Sequence, residues 1–164
     1  MTANAALFTS TTPEWYTPPD LLAEIAAFFR DGYYDPCPAR VADAPTSDGL
    51  ATTWTDHTAV FVNPPYGRTI GAWTRKAQQT LRESGYRTEV LLLVPARTDT
   101  AWFQPLFHHS ICFLRGRLRF SGAVSGAPFP SALTYLGYRS PWFAHHFQAR
   151  GPIVVRHYPA PSDQ

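Results

Sequence analysis

The chain has 164 residues, enough for one domain that buries its own core without help from a metal or disulfides. A net charge of +2 and a hydrophobic share of 45% exclude a disordered or polyelectrolyte binder. Its two cysteines, Cys37 and Cys112, fit neither a zinc spacing nor a disulfide framework, and no signal peptide or membrane-length apolar run is visible, so a reducing cytoplasm is expected and no membrane partner.

Residues 1–13 read as a loose lead-in, 14–158 as a single domain and 159–164 as a frayed tail. In Glu14-Trp15-Tyr16-Thr17-Pro18-Pro19-Asp20, Thr17 is placed to cap a helix that begins at Pro18. Leu21, Leu22, Ile25, Phe28 and Phe29 then give that helix one apolar face. Trp15 and Tyr16 are equally suited to packing at the helix start and to covering the carboxylate end of an amino-acid-like cofactor. Gly32 to Asp35 reads as a short strand cut off by Pro36. Asp35 at its end either caps the turn or receives an amino group or ribose. Residues 38–58 read as loop, with a turn at Asp48-Gly49. Asp48 suits a ribose contact and a turn cap equally, and Leu50 and Trp54 pin the loop to the core.

Val60-Phe61-Val62 is a short apolar run, read as a buried parallel strand. Pro64 and Pro65 stop it, which leaves Asn63 as its last residue at the carboxyl edge of a sheet, where ligands of open α/β sheets bind. This arrangement suits methyl transfer to an amino group conjugated to a ring or a carbonyl. The lone pair of such a nitrogen is delocalised. Two acceptors facing its two N–H groups, here the Asn63 side-chain oxygen and the Pro64 carbonyl, return the lone pair to the nitrogen. Pro65 stiffens the turn, and Tyr66 offers a flat face on which an extruded base stacks.

Ile70, Trp73, Ala77 and Leu81 recur at helical spacing, and Gly85 is the stop. Glu89–Val94 reads as another buried strand, with Arg97, Thr98 and Asp99 at its edge. A helix around 101–109 is expected to kink at Pro105 or to break into two short turns, followed by a strand at 111–114. Residues 115–120 alternate basic with small or apolar side chains, as a half-exposed strand does. Arg115, Arg117 and Arg119 on one face would make a phosphate track or simply a soluble surface. Residues 121–130 read as a flexible loop able to enter a DNA groove. Strands are expected at 132–136 and 153–155. The His108-His109 and His145-His146 pairs lack acidic partners at metal spacing and read as surface residues, so no metal site is expected.

These blocks, in this order, resemble the phage-type Dam-like DNA adenine-N6 methyltransferases. The resemblance rests on Glu14 to Pro19, Asp35-Pro36, Asp48-Gly49-Leu50, Asn63-Pro64-Pro65-Tyr66, Leu92 to Asp99, Trp102-Phe103, Gly116 to Phe120 and Ala127 to Ala132. It implies an α/β fold: a reduced class I, Rossmann-like three-layer sandwich whose sheet is mostly parallel with an antiparallel edge. It implies S-adenosylmethionine as methyl donor, double-stranded DNA as partner and modification of DNA against restriction. It carries catalytic roles onto Asn63, Pro64, Pro65 and Tyr66. Cofactor contacts fall on Trp15, Tyr16, Thr17, Pro18, Asp35, Asp48 and Asn63. Arg68, Arg97, Arg115, Arg117 and Arg119 are the expected DNA contacts, and the chain acts as a monomer or homodimer.

The sequence departs from larger methyltransferases in two ways. Cys37-Pro38-Ala39-Arg40 replaces the glycine-rich turn, and Asp35 and Asn63 stand too close for two full βα units of ~30 residues each. That shortening motivates a second reading, a binding module without chemistry. A third keeps the enzyme and changes the acceptor to RNA adenine, cytosine N4 or a protein glutamine.

Overall fold

A computed structural model describes residues 15–38, 48–121 and 123–155. The expected lead-in and tail, and residues 39–47 of the expected loop, lie outside the described residues.

The first helix, α1 (Pro19–Phe29), buries Leu21, Ile25, Phe28 and Phe29, the face that the periodicity predicts. Its N-cap is Pro18, not Thr17, and no side chain caps it. The Thr17 hydroxyl is engaged elsewhere, as described below.

Strand β1 (Ala59–Val62) is buried along its whole length. Helix α2 (Ile70–Glu83) buries Ile70, Trp73, Ala77 and Leu81 and ends as the sequence predicts, with Gly85 at φ 60°. There the Tyr86 N–H bonds the Leu81 carbonyl at 2.9 Å and the Gly85 N–H bonds that of Arg82 at 3.0 Å. Strand β2 (Glu89–Pro95) is buried at every position. The helix expected around Pro105 is a 3₁₀ turn, Gln104–His108, with the proline at its start where no N–H donor is needed. Strands β3 (Ser110–Phe113) and β4 (Ser131–Leu136) follow, then helix α3 (Ser140–Phe147) and the short strand β5 (Ile153–Val154).

The sheet order is β1-β2-β4-β3-β5. β1 and β2 are parallel, with Val62 beside Leu92, whereas β4 is antiparallel to both of its neighbours and β5 is antiparallel to β3. The expectation of a mostly parallel sheet is therefore overturned: the described sheet is mostly antiparallel, with one parallel pair. The cause is β4, which inserts between β2 and β3. By these pairings β1, β2 and β3 still run in one direction, and β4 runs against them. The missing neighbour contact between β2 and β3 is what removes a parallel ladder.

Two other expectations change. Residues 115–120 form no strand; the chain bends at Arg115-Gly116, where Gly116 takes φ 75°, and is irregular beyond. The alternation survives, with Arg115, Arg117 and Arg119 exposed and Phe120 buried. The strand ending in Asp35 shrinks to a single parallel bridge between Tyr34 and Val60.

Helix α3 was not expected from the sequence. Its Phe143 and Phe147 are fully buried and meet Phe28 of α1 at 6.2 and 5.3 Å between ring centroids. His146 is half-buried in that contact, with a ring nitrogen 2.9 Å from the Glu24 carbonyl, which corrects the reading of it as a surface residue. At the opposite end of β2 from the Asn63 turn, Glu89 is 5% exposed and is held by the Tyr135 hydroxyl at 2.7 Å and by both sides of the Arg139 guanidinium fork.

Candidate active site at the carboxyl edge of the sheet

Because β1, β2 and β3 share a direction, their carboxyl ends lie at one edge. Asn63 leaves β1 there, Ala96 and Arg97 leave β2, and Leu114 and Arg115 leave β3. The segment 114–130 joins the end of β3 to the start of β4, so it runs along this same edge.

The Asn63 side chain is held from one side only. Its Nδ2 donates to the Trp15 carbonyl and to the Thr17 hydroxyl, the latter at 3.0 Å. A carbonyl only accepts, so this contact fixes which end of the amide is nitrogen. The Asn63 Oδ1 is then turned away, buried and without a donor among the described residues. An unsatisfied buried acceptor of this kind costs about 1–3 kcal/mol, so it calls for an explanation. Thr17 was expected to cap the helix and instead anchors the asparagine.

Pro64 is buried and Pro65 half-buried. Tyr66 is 7% exposed, and its hydroxyl donates to the Leu93 carbonyl at 3.2 Å. Burial raises that hydroxyl's pKa well above its ordinary value. Its ring lies 6.1 Å from Phe120 and 5.4 Å from Phe129, both at steep angles, and Trp15 meets the same two rings at 5.2 and 5.4 Å. The four rings form a wall over the Asn63 turn. The segment Trp15 to Pro18 passes beside Asn63 as a strap, tied by an antiparallel bridge between Tyr16 and Ser121. Sequence reasoning missed the role of Phe120 and Phe129, although both fall inside blocks that it singled out.

Asp35 stands next to β1 through the Tyr34 bridge. Its Oδ1 accepts the Cys37 N–H at 2.8 Å. Burial raises its pKa to about 6, and that hydrogen bond offsets only part of the effect. Asp48 is exposed and its Oδ1 accepts the Leu50 N–H at 3.0 Å, the geometry of a turn cap.

The expected DNA contacts all leave this edge. Arg68 is exposed between Gly67 and α2, Arg97 is half-buried after β2, and Arg115, Arg117 and Arg119 are exposed after β3. Among the described residues, no group of three or more His, Cys, Asp or Glu is placed to hold a metal ion, and no helix is long and apolar enough to cross a membrane.

A family model described as DNA N-6-adenine-methyltransferase (Dam) matches residues 5–131. The chain belongs to the Dam family. It is thus a DNA adenine-N6 methyltransferase, and the match runs from ahead of the Trp15 strap to the first residue of β4, which takes in every site residue named above. A comparison with curated proteins finds no match. Helix α3 and β5 lie beyond the matched residues.

Proposed function

We propose that this Dam-family enzyme takes its methyl group from S-adenosylmethionine and holds the target adenine's amino group at Asn63. The observation that carries the reading is the buried Asn63 Oδ1 without a donor, on an amide whose nitrogen is already anchored. An exocyclic amino group supplies the missing N–H, with the Pro64 carbonyl as acceptor for the second. Held at both hydrogens, the amino nitrogen regains its lone pair from the ring and becomes nucleophilic. When bound, S-adenosylmethionine supplies a methyl group activated by a positively charged sulfur.

The residues present fit that donor. Asp35 is a carboxylate that burial has left poorly solvated, with one oxygen on a single backbone N–H. A cofactor amino or hydroxyl group would restore what burial removed. Trp15, Tyr16, Thr17 and Pro18 form the strap on the other side of Asn63, and Asp48 adds a carboxylate at the turn beyond. Tyr66 serves as the stacking face for the flipped base. Since Tyr66 is 7% exposed and its ring meets Phe120 and Phe129, those two rings have to move for a base to reach it. The shared direction of β1, β2 and β3, with the site at their carboxyl ends, supports reading the sheet as a reduced Rossmann-like one. Arg68, Arg97, Arg115, Arg117 and Arg119 then surround the site as phosphate contacts.

Purified protein given labelled S-adenosylmethionine and mixed-sequence duplex DNA is expected to yield N6-methyladenine in the digested nucleosides. Asn63→Ala should lower turnover by about 100-fold or more, the scale of losing one preorganised polar contact to a reacting group. Turnover that survives this substitution unchanged would overturn the assigned role.

A further inference from the structure

Lys76 is the sole lysine in the sequence. From the middle of α2 its Nζ donates to two backbone carbonyls of the 48–54 loop, Leu50 at 2.8 Å and Thr52 at 2.7 Å. The same ammonium lies 5.2 Å from the centre of the Trp54 ring. A half-buried ammonium satisfied by two neutral carbonyls and an aromatic face makes charge-assisted bonds, the stronger kind.

The loop it grips is tied in turn to the Asp35 segment. The Gly49 carbonyl accepts both the Trp54 indole N–H and the Thr52 hydroxyl, each at 2.9 Å. Gly49 itself is pressed so tightly onto Pro36 that a Cβ there would stand 2.0 Å from the Pro36 carbonyl oxygen. The Tyr34 hydroxyl donates to Thr52 at 3.1 Å, a second link between loop and segment. Asp35 lies between these two fastenings, at Tyr34 and at Pro36.

We infer that Lys76 is a positioning residue for the cofactor pocket: from α2 it clamps the 48–54 loop onto the Tyr34-Asp35-Pro36 turn and so sets where the Asp35 carboxylate stands. Lys76 touches neither substrate nor cofactor. It acts through the loop, and the inference rests on Asp35 being a cofactor contact.

The test compares wild type, Asp35→Asn, Lys76→Met and Tyr34→Phe. Methionine keeps the apolar stem and removes the donors. Tyr34→Phe removes the hydroxyl tie alone and is the milder lesion if Lys76→Met folds poorly. Calorimetry is expected to show S-adenosylmethionine binding weakened about tenfold by Lys76→Met, and two- to threefold by Tyr34→Phe. Turnover at saturating cofactor should stay within about twofold of wild type in both, because neither residue meets the reacting atoms. Amide exchange should quicken at residues 34–37 and 48–54 and stay slow in β2.

A lower melting temperature with unchanged cofactor affinity and unchanged exchange at 34–37 would overturn the inference and leave Lys76 a general stabiliser. If Asp35→Asn binds the cofactor as tightly as wild type, the assignment of Asp35 has failed. If Asp35→Asn weakens binding and both Lys76→Met and Tyr34→Phe do not, the clamp has failed and the assignment stands.

Discussion

Single residues at this edge are held in states that differ from their solution preferences. Asp35 is the clearest. Burial raises its pKa from 3.8 to about 6, so folding favours the protonated form. Its stabilising contribution is complete below about pH 4 and is lost as the pH rises through 6. Asp35→Asn is therefore expected to raise the stability of the unliganded protein at pH 8 by roughly 1–3 kcal/mol, a gain that fades toward pH 4. Melting curves across that range check the sign. Cofactor binding should run the other way in wild type, weakening as the pH drops below 6, because a protonated Asp35 loses the charge that a donor group would meet. Asn63 gives a second residue-scale prediction. Asn63→Asp places an acceptor against the Trp15 carbonyl, so it should cost about 1–3 kcal/mol near neutral pH. Recovery of part of that loss in acid, where the carboxyl can donate, would support the assignment of the amide's orientation.

Elements in this protein are joined by a few large contacts. Helices α1 and α3 meet through Phe28, which is fully buried and touches Phe29, Tyr135, Phe143, His146 and Phe147. Phe28→Ala should cost about 3–5 kcal/mol in denaturant titration, the range for truncating a buried aromatic. Such a loss should leave the geometry at the Asn63 edge intact in the molecules still folded. The Glu89–Arg139 pair ties β2 to the start of α3 at the other end of the sheet. Glu89 is 5% exposed, so Arg139→Met leaves a carboxylate buried with only the Tyr135 hydroxyl to serve it. A loss of about 3–5 kcal/mol is expected, with recovery when Glu89→Gln is added, since the uncompensated charge is then gone. A double-mutant cycle measures that recovery directly.

At the scale of the whole molecule, function depends on a single edge collecting both chemistry and charge. Arg115, Arg117 and Arg119 all sit on the connection from β3 to β4, which starts and ends at the Asn63 edge. Each arginine that contacts a phosphate releases counterions, so Arg117→Ala or Arg119→Ala should reduce the log–log salt slope of DNA binding by about one unit. Cofactor affinity should not change. Loss of cofactor affinity with an unchanged salt slope would show that this segment supports the pocket instead.

Much of this was legible in the sequence because it follows from local rules. Apolar runs closed by Pro64-Pro65 and Pro95 mark buried strands that must stop, since proline cannot continue the ladder. The spacing of Ile70, Trp73, Ala77 and Leu81 fixes a helix face, and Gly85 fixes its end, because a residue without Cβ adopts positive φ at little cost. The Asn-Pro-Pro-Tyr turn and its place after a strand were equally plain. What the sequence could not decide was which strand lies beside which. β4 enters between β2 and β3 through non-local pairing, and no local pattern distinguishes a buried strand with parallel neighbours from one with antiparallel neighbours. The same holds for side-chain partners far apart in the chain. Thr17 looked like a helix cap by its local context, yet its hydroxyl serves Asn63, 46 positions away. Lys76 lies off the apolar face of its helix, and nothing local shows that it holds a loop 24–26 positions earlier. Local chemistry sets which elements form and where they end, while tertiary packing alone decides which polar groups meet, because groups far apart in the chain become neighbours only when the fold brings their elements together.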